Sequence, residues 1–155
     1  MADLGGPLAQ RLAELIDDAG QQAIAGDPPG LYFLVKDDDD SESWDVVAMA
    51  VDQSSAVVVY AVCPTLAPVA HRPALAEAVG LANFGMLDGC FEVDPADGEL
   101  RFRIGLLLGG ADLTAELLSR LLAQATGALE VYGEALVAVA TGRAAPTEAI
   151  AAAES

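Results

Sequence analysis

Residues 81–103 read LANFGMLDGCFEVDPADGELRFR, and this stretch decides the fold. Phe91 and Val93 alternate with polar positions, Asp94-Pro95-Ala96-Asp97-Gly98 breaks the run, and Leu100, Phe102 and Ile104 resume the alternation with Arg101 and Arg103 between them. A period of two on both sides of a polar break predicts two strands joined by a tight loop. Pro95 presets the first turn dihedral, Asp97 can bond its own neighbouring backbone, and Gly98 supplies the positive φ that a bulged hairpin loop requires. By parity Arg101 and Arg103 leave the sheet opposite Leu100 and Phe102. Glu92 on the facing strand shares their side, so a cross-strand ion pair is expected.

Upstream, Leu8, Leu12, Leu15, Ile16, Ala19 and Ala23 recur at three- and four-residue steps, predicting one helix closed by Gly26 and Asp27-Pro28-Pro29-Gly30. Leu31–Lys36, Trp44–Asp52 and Ala56–Cys63 read as three strands, the last two joined by the polar turn Asp52-Gln53-Ser54-Ser55. These two are apolar on both faces: Val46, Ala48 and Ala50 against Val47, Met49 and Val51, then Val57 and Val59 against Val58, Tyr60 and Val62. A sheet wet on one side should show polar residues there. Either the helices divide between the two faces or a second subunit packs on the sheet, and the small helix count favours the subunit. Downstream of Pro64, a helix entered near Pro73 carries Leu75, Val79, Ala82 and Met86 on one face. After the hairpin a long helix, capped at Asp112 or Thr114, carries Leu117, Leu121, Ala125, Leu129, Tyr132, Leu136 and Val139 in register and ends at Gly142. Pro146 opens a short terminal helix over Thr147–Glu154.

The run Asn83, Gly85, Gly89, Phe91, Glu92, Asp97, Gly98, Glu99 and Arg101, with the helical tail ending in Gly142 and the following Glu148-Ala149-Ile150, resembles the YbjN family of bacterial proteins. The likeness extends from about Val58 to the C-terminus and is topological before that. It implies a fold like that of type III secretion chaperones: an α+β domain with a five-stranded, mainly antiparallel sheet in the order helix, three strands, helix, two strands, helix. Members are labelled sensory transduction regulators. The resemblance brings no catalytic residues with it.

At 155 residues the chain is long enough for one domain over 1–155 and too short for two comfortable ones. Seven basic residues against 24 acidic give a net charge of −17, which repels phosphate backbones and anionic lipid, so neither nucleic acid nor a membrane is the expected partner. Such acidity points to a basic partner, to solubility or to salt adaptation. The N-terminus has no basic leader followed by an apolar block, and no apolar run reaches the roughly 20 residues that span a bilayer, so a cytoplasmic location is expected.

Few residues are equipped for chemistry. Asp37-Asp38-Asp39-Asp40, with Glu42 and Asp45, offers hard oxygen ligands but lacks the glycine and spacing of a calcium loop, and reads as a solvated acidic turn. His71 is the single histidine, and with Cys63 and Cys90 it makes no zinc-ligand spacing. Cys90, between the carboxylates of Asp88 and Glu92, lacks the electropositive setting of a reactive thiol. Gly109-Gly110 precedes a helix but lacks the lysine of a phosphate loop. No cofactor, metal or catalytic residue is therefore assigned.

The sequence thus points to a non-enzymatic, chaperone-like regulatory module, homodimeric, that binds a protein partner's segment along a sheet edge or an apolar groove. The alternative is a sensory domain holding a small acidic ligand at Arg101 and Arg103, with Glu92 beside them.

Overall fold

The computed structural model of the chain describes residues 5–37 and 40–155. In chain order these form helix α1 (Pro7–Asp18), strands β1 (Ala23–Ala25), β2 (Leu31–Leu34), β3 (Asp45–Val51) and β4 (Ala56–Val62), helix α2 (Arg72–Asn83), strands β5 (Cys90–Val93) and β6 (Leu100–Leu107), and helices α3 (Ala115–Ala140) and α4 (Pro146–Ala153). Every strand pairing is antiparallel, and the strands lie in the order β1-β2-β3-β4-β6-β5.

The expected α+β class and antiparallel sheet are present, but the sheet has six strands, not five. The extra strand is β1, which occupies the end of the predicted first helix. Ala19 and Ala23 prolong the helical period past the true end, which is set instead by Gly20 at φ +71°. The N–H groups of Gly20 and Gln21 donate to the carbonyls of Asp17 and Ile16, the left-handed stop common at helix ends. The same device, with Gly142 at φ +73°, ends α3. A side chain on Gly142 would collide with the ring of His71. Of the two caps proposed for α3, Thr114 is the one used: its hydroxyl accepts from the Leu117 N–H at 3.2 Å.

Helix α1 begins at Gly6, which has no side chain to cap it. The carboxylate of Asp52, in the turn between β3 and β4, accepts from the N–H groups of Leu8 at 2.8 Å and Ala9 at 3.2 Å. One acidic residue thus both satisfies the helix start and ties α1 to the sheet.

All four helices lie on one face of the sheet. Tyr32, Ala48, Val59 and Ile104 form a row of paired residues across β2, β3, β4 and β6, and Phe91, Phe102 and Ala61 form the next. Both rows are buried in the core with Leu12 of α1, Leu75 of α2, Leu136 of α3 and Ile150 of α4. Phe91 is its aromatic centre, edge-on to Phe102 at 5.1 Å, Tyr132 at 5.9 Å and Trp44 at 6.3 Å. The alternative that the helices divide between the faces is therefore excluded for the described residues.

Candidate functional site

The opposite face of the sheet carries no described element. Its rows are Ile24, Phe33, Val47, Tyr60, Arg103 and Cys90, then Leu31, Met49, Val58 and Gly105, with Val51, Ala56 and Leu107 at one margin and Asp45, Val62, Arg101 and Glu92 at the other. Val47 and Ala56 are buried here by neighbours on their own face and stand outside the core. Ile24, Phe33 and Leu107 are 63%, 45% and 77% exposed. With ordinary strand spacing and rise the face, charged margin included, measures roughly 400–500 Å².

The expected ion pair lies at one margin of this surface. Arg101 Nε and Arg103 Nε donate to the two oxygens of Glu92 at 2.8 and 2.7 Å, Arg101 from the directly paired position and Arg103 from the diagonal one. Burial pushes the Glu92 carboxyl up, but the hydrogen bonds and charges of the two arginines outweigh it and hold the group below the usual carboxylate value. Arg101 also lies over the Tyr60 ring at 4.7 Å, and Arg103 Nη2 approaches Cys90 Sγ at 3.5 Å. Each guanidinium thus already has a carboxylate, and Arg101 has a second in Glu99 at 3.8 Å. The nearby concavity of about 580 Å³ is lined by Glu92, Asp94 and Glu99 with Arg101 as its one cation.

Charge is sparse on the whole face. The only charged residues at its strand positions are Asp45, Glu92, Arg101 and Arg103, which sum to zero, and Asp45 is further paired with Lys36 at 2.9 Å. On a chain of net charge −17 the acidity is therefore carried elsewhere.

The loop between β5 and β6 is held by bonds from its own backbone to its own side chains. Asp97 accepts from the Glu99 N–H at 2.9 Å, Asp94 accepts from the Ala96 N–H at 2.8 Å, and Gly98 has φ +83°. Pro95 and Asp97 also meet a residue the sequence reading passed over. Arg72 donates Nε to the Ala67 carbonyl, Nη1 to those of Pro95 and Ala96, and Nη2 to that of Asp97, all at 3.0–3.1 Å. One guanidinium thus clamps the loop to the start of α2. The available signal was its position, since a cation in the first turn of a helix faces the unfavourable end of the dipole.

Asn83, one of the residues carrying the family resemblance, has a comparable function. Its side-chain oxygen accepts from the Phe91 N–H at 2.8 Å, and its Nδ2 donates to the Phe91 carbonyl at 2.9 Å.

The remaining candidates do not converge. Cys63 is buried and its thiol is pushed up by burial, a shift that a backbone hydrogen bond at Thr65 opposes. Among the described residues no three metal-capable side chains come together and no charged or polar residue is buried. Asp38 and Asp39 of the acidic run lie outside the described residues. No described helix is long and apolar enough to cross a membrane.

An antiparallel sheet with its helices on one side defines an α+β fold. The chain belongs to the YbjN family: the family model described as "Putative bacterial sensory transduction regulator" matches residues 8–138. Among solved structures it is similar to YbjN from E. coli, a "putative transcription regulator" by its description, at 15% identity and TM-score 0.57, over 81% of this chain and 87% of that one. It is similar to a chain of the ExsC-ExsE complex at 19% identity and TM-score 0.53, over 82% and 91%. A chain of the HopA1-SchA chaperone-effector complex matches at 13% identity and TM-score 0.51, over 76% and 86%. At these identities the likeness is one of fold. No curated protein matches the chain in sequence.

Proposed function

We propose that the chain is a non-enzymatic, cytoplasmic protein-interaction module of chaperone type, and that a segment of a partner protein docks on the open face of the sheet. One observation carries this reading: the uncovered face is apolar and nearly neutral on an otherwise strongly acidic molecule. An apolar surface of that kind gains from being removed from water. That two of the similar folds come from complexes with partner proteins supports the reading. The alternative, an acidic ligand at Arg101 and Arg103, is disfavoured by Glu92, which already gives each guanidinium a carboxylate. The test is co-purification from the native host. Met49→Lys, in the middle of the open face, abolishes recovery of the partner with little change in melting temperature, while Glu130→Lys on the exposed side of α3 retains it. The reverse pattern overturns the reading.

A homodimer belongs to the proposal. Two chains of −17 can approach only where carboxylates are few. A second apolar surface lies at the C-terminal end of α2, where Phe84 and Leu87 are 90% and 97% exposed. The second subunit that the sequence placed on the sheet is assigned here instead, which leaves the sheet face for the partner. Light scattering should report twice the chain mass, and Phe84→Glu with Leu87→Glu should halve it; a monomeric parent contradicts this part of the proposal.

A further inference from the structure

The sheet has two free edges, and they differ. At β5 the outward N–H and C=O of Phe91 are both bonded to the side-chain amide of Asn83, which stands where an added strand would run. At β1 the alternation of an antiparallel ladder fixes which groups point outward. Gly26 N–H donates to the Leu31 carbonyl and Val35 N–H to that of Gln22, so positions 22, 24 and 26 bond inward to β2. Ala23 and Ala25 therefore present their N–H and C=O groups away from the sheet, and among the described residues nothing pairs with them. All three residues of this short strand are exposed, and neither a proline nor a lysine lies among them.

We propose that β1 accepts an extended segment of the partner as a seventh, antiparallel strand, and that this segment is apolar at alternate positions and flanked by lysine or arginine. The proposal rests on the partner-segment reading above and adds, beside the open face, the edge and the chemistry by which the segment enters. The apolar requirement comes from Ile24 and Phe33, which are paired across β1 and β2 on the open face and exposed. Side chains at alternate positions of an added strand continue that surface. The basic requirement comes from charge. Asp17 and Asp18 precede the strand, Asp27 follows it and Asp37 ends the neighbouring segment. All four are exposed, and none is in an ion pair among the described residues. Lys36 between them is held by Asp45 and the Ser43 carbonyl. A second copy joined edge to edge through β1 would set the same four carboxylates against themselves, so the occupant is a different, basic chain.

The test uses the intact protein and two synthetic nonapeptides of five alternating valines and threonines, one with two lysines at each end and one with two glutamates. By amide exchange in NMR, the lysine peptide slows Ala23 and Ala25 at least tenfold and leaves Phe91 unchanged. The glutamate peptide binds at least tenfold more weakly. Ala25→Pro, where no ladder N–H is lost, abolishes binding without lowering the melting temperature. Ile24→Lys, a second variant, does so without touching the backbone. Protection at Met49 or Val93 in place of Ala23 and Ala25 overturns the edge assignment while leaving partner-segment binding standing. Concentration-dependent protection of Ala23 and Ala25 without peptide overturns the choice of occupant. Failure of both peptides overturns the edge proposal, and the Met49→Lys experiment then decides the wider reading separately.

Discussion

Gly98→Ala should be among the most damaging single-methyl changes in this chain, and the structure says by how much. Two effects add. The residue sits at φ +83°, a left-handed conformation that penalises any side chain by roughly 1–2 kcal/mol. A Cβ there would also run into the Ala67 carbonyl oxygen and come within 2.9 Å of the Ala67 nitrogen and of Arg72 Nε. These atoms are already joined: Ala67 N–H donates to the Gly98 carbonyl at 2.9 Å, and Arg72 Nε donates to the Ala67 carbonyl at 3.0 Å. Moving the loop away loses one neutral and one charge-assisted hydrogen bond, about 2–4 kcal/mol together. The total is about 3–6 kcal/mol, a large part of the roughly 5–15 kcal/mol that holds a domain folded. Gly20→Ala is the control, since Gly20 has φ +71° and nothing within 4 Å of its Cβ position. It should lose only the backbone part, about 1–2 kcal/mol. The effect of alanine on the unfolded chain is common to both and cancels in the comparison. Urea unfolding at pH 7, with the slope unchanged, measures the two variants side by side. Equal losses would show that the contact between the hairpin loop and Ala67 contributes nothing, and would refute the reasoning.

Two further outcomes follow from the same geometry. Arg72→Lys should lower stability by about 1.5–3 kcal/mol, because an ammonium cannot reach four carbonyls in a fixed fork; an unchanged melting temperature would mean the clamp is idle. For Glu92, the lowered folded-state pKa means that its stabilisation is complete above the ordinary carboxylate value of about 4.3 and is lost as pH falls through the depressed one. The stability difference between the parent and Glu92→Gln should therefore shrink on acidification, and a difference that stays constant from neutral to strongly acidic pH would contradict the assignment.

What the sequence disclosed followed range. The hairpin from Phe91 to Ile104 was readable because strand alternation, the Asp94–Gly98 break and the side of Arg101, Arg103 and Glu92 are all set within about a dozen residues. Strand β1 was not readable by periodicity, for Ala23 falls in step with the helix before it; Gly20 was the local sign of the true end. The two apolar faces of β3 and β4 were legible, yet which face the helices cover depends on the sheet order, which joins β4 to β6 across α2 and β5. Arg72 and Asn83 bond to backbone groups 5 to 25 residues away, and no spacing rule announces such partners.

The most direct measurement is photocrosslinking in the native host, with the crosslinker placed at Met49 on the open face and, separately, at Glu130 on the outer side of α3. The account predicts a discrete adduct with another protein from position 49 and none from position 130. An adduct from 130 with none from 49 would show that the bare sheet face is not where this chain meets its partner.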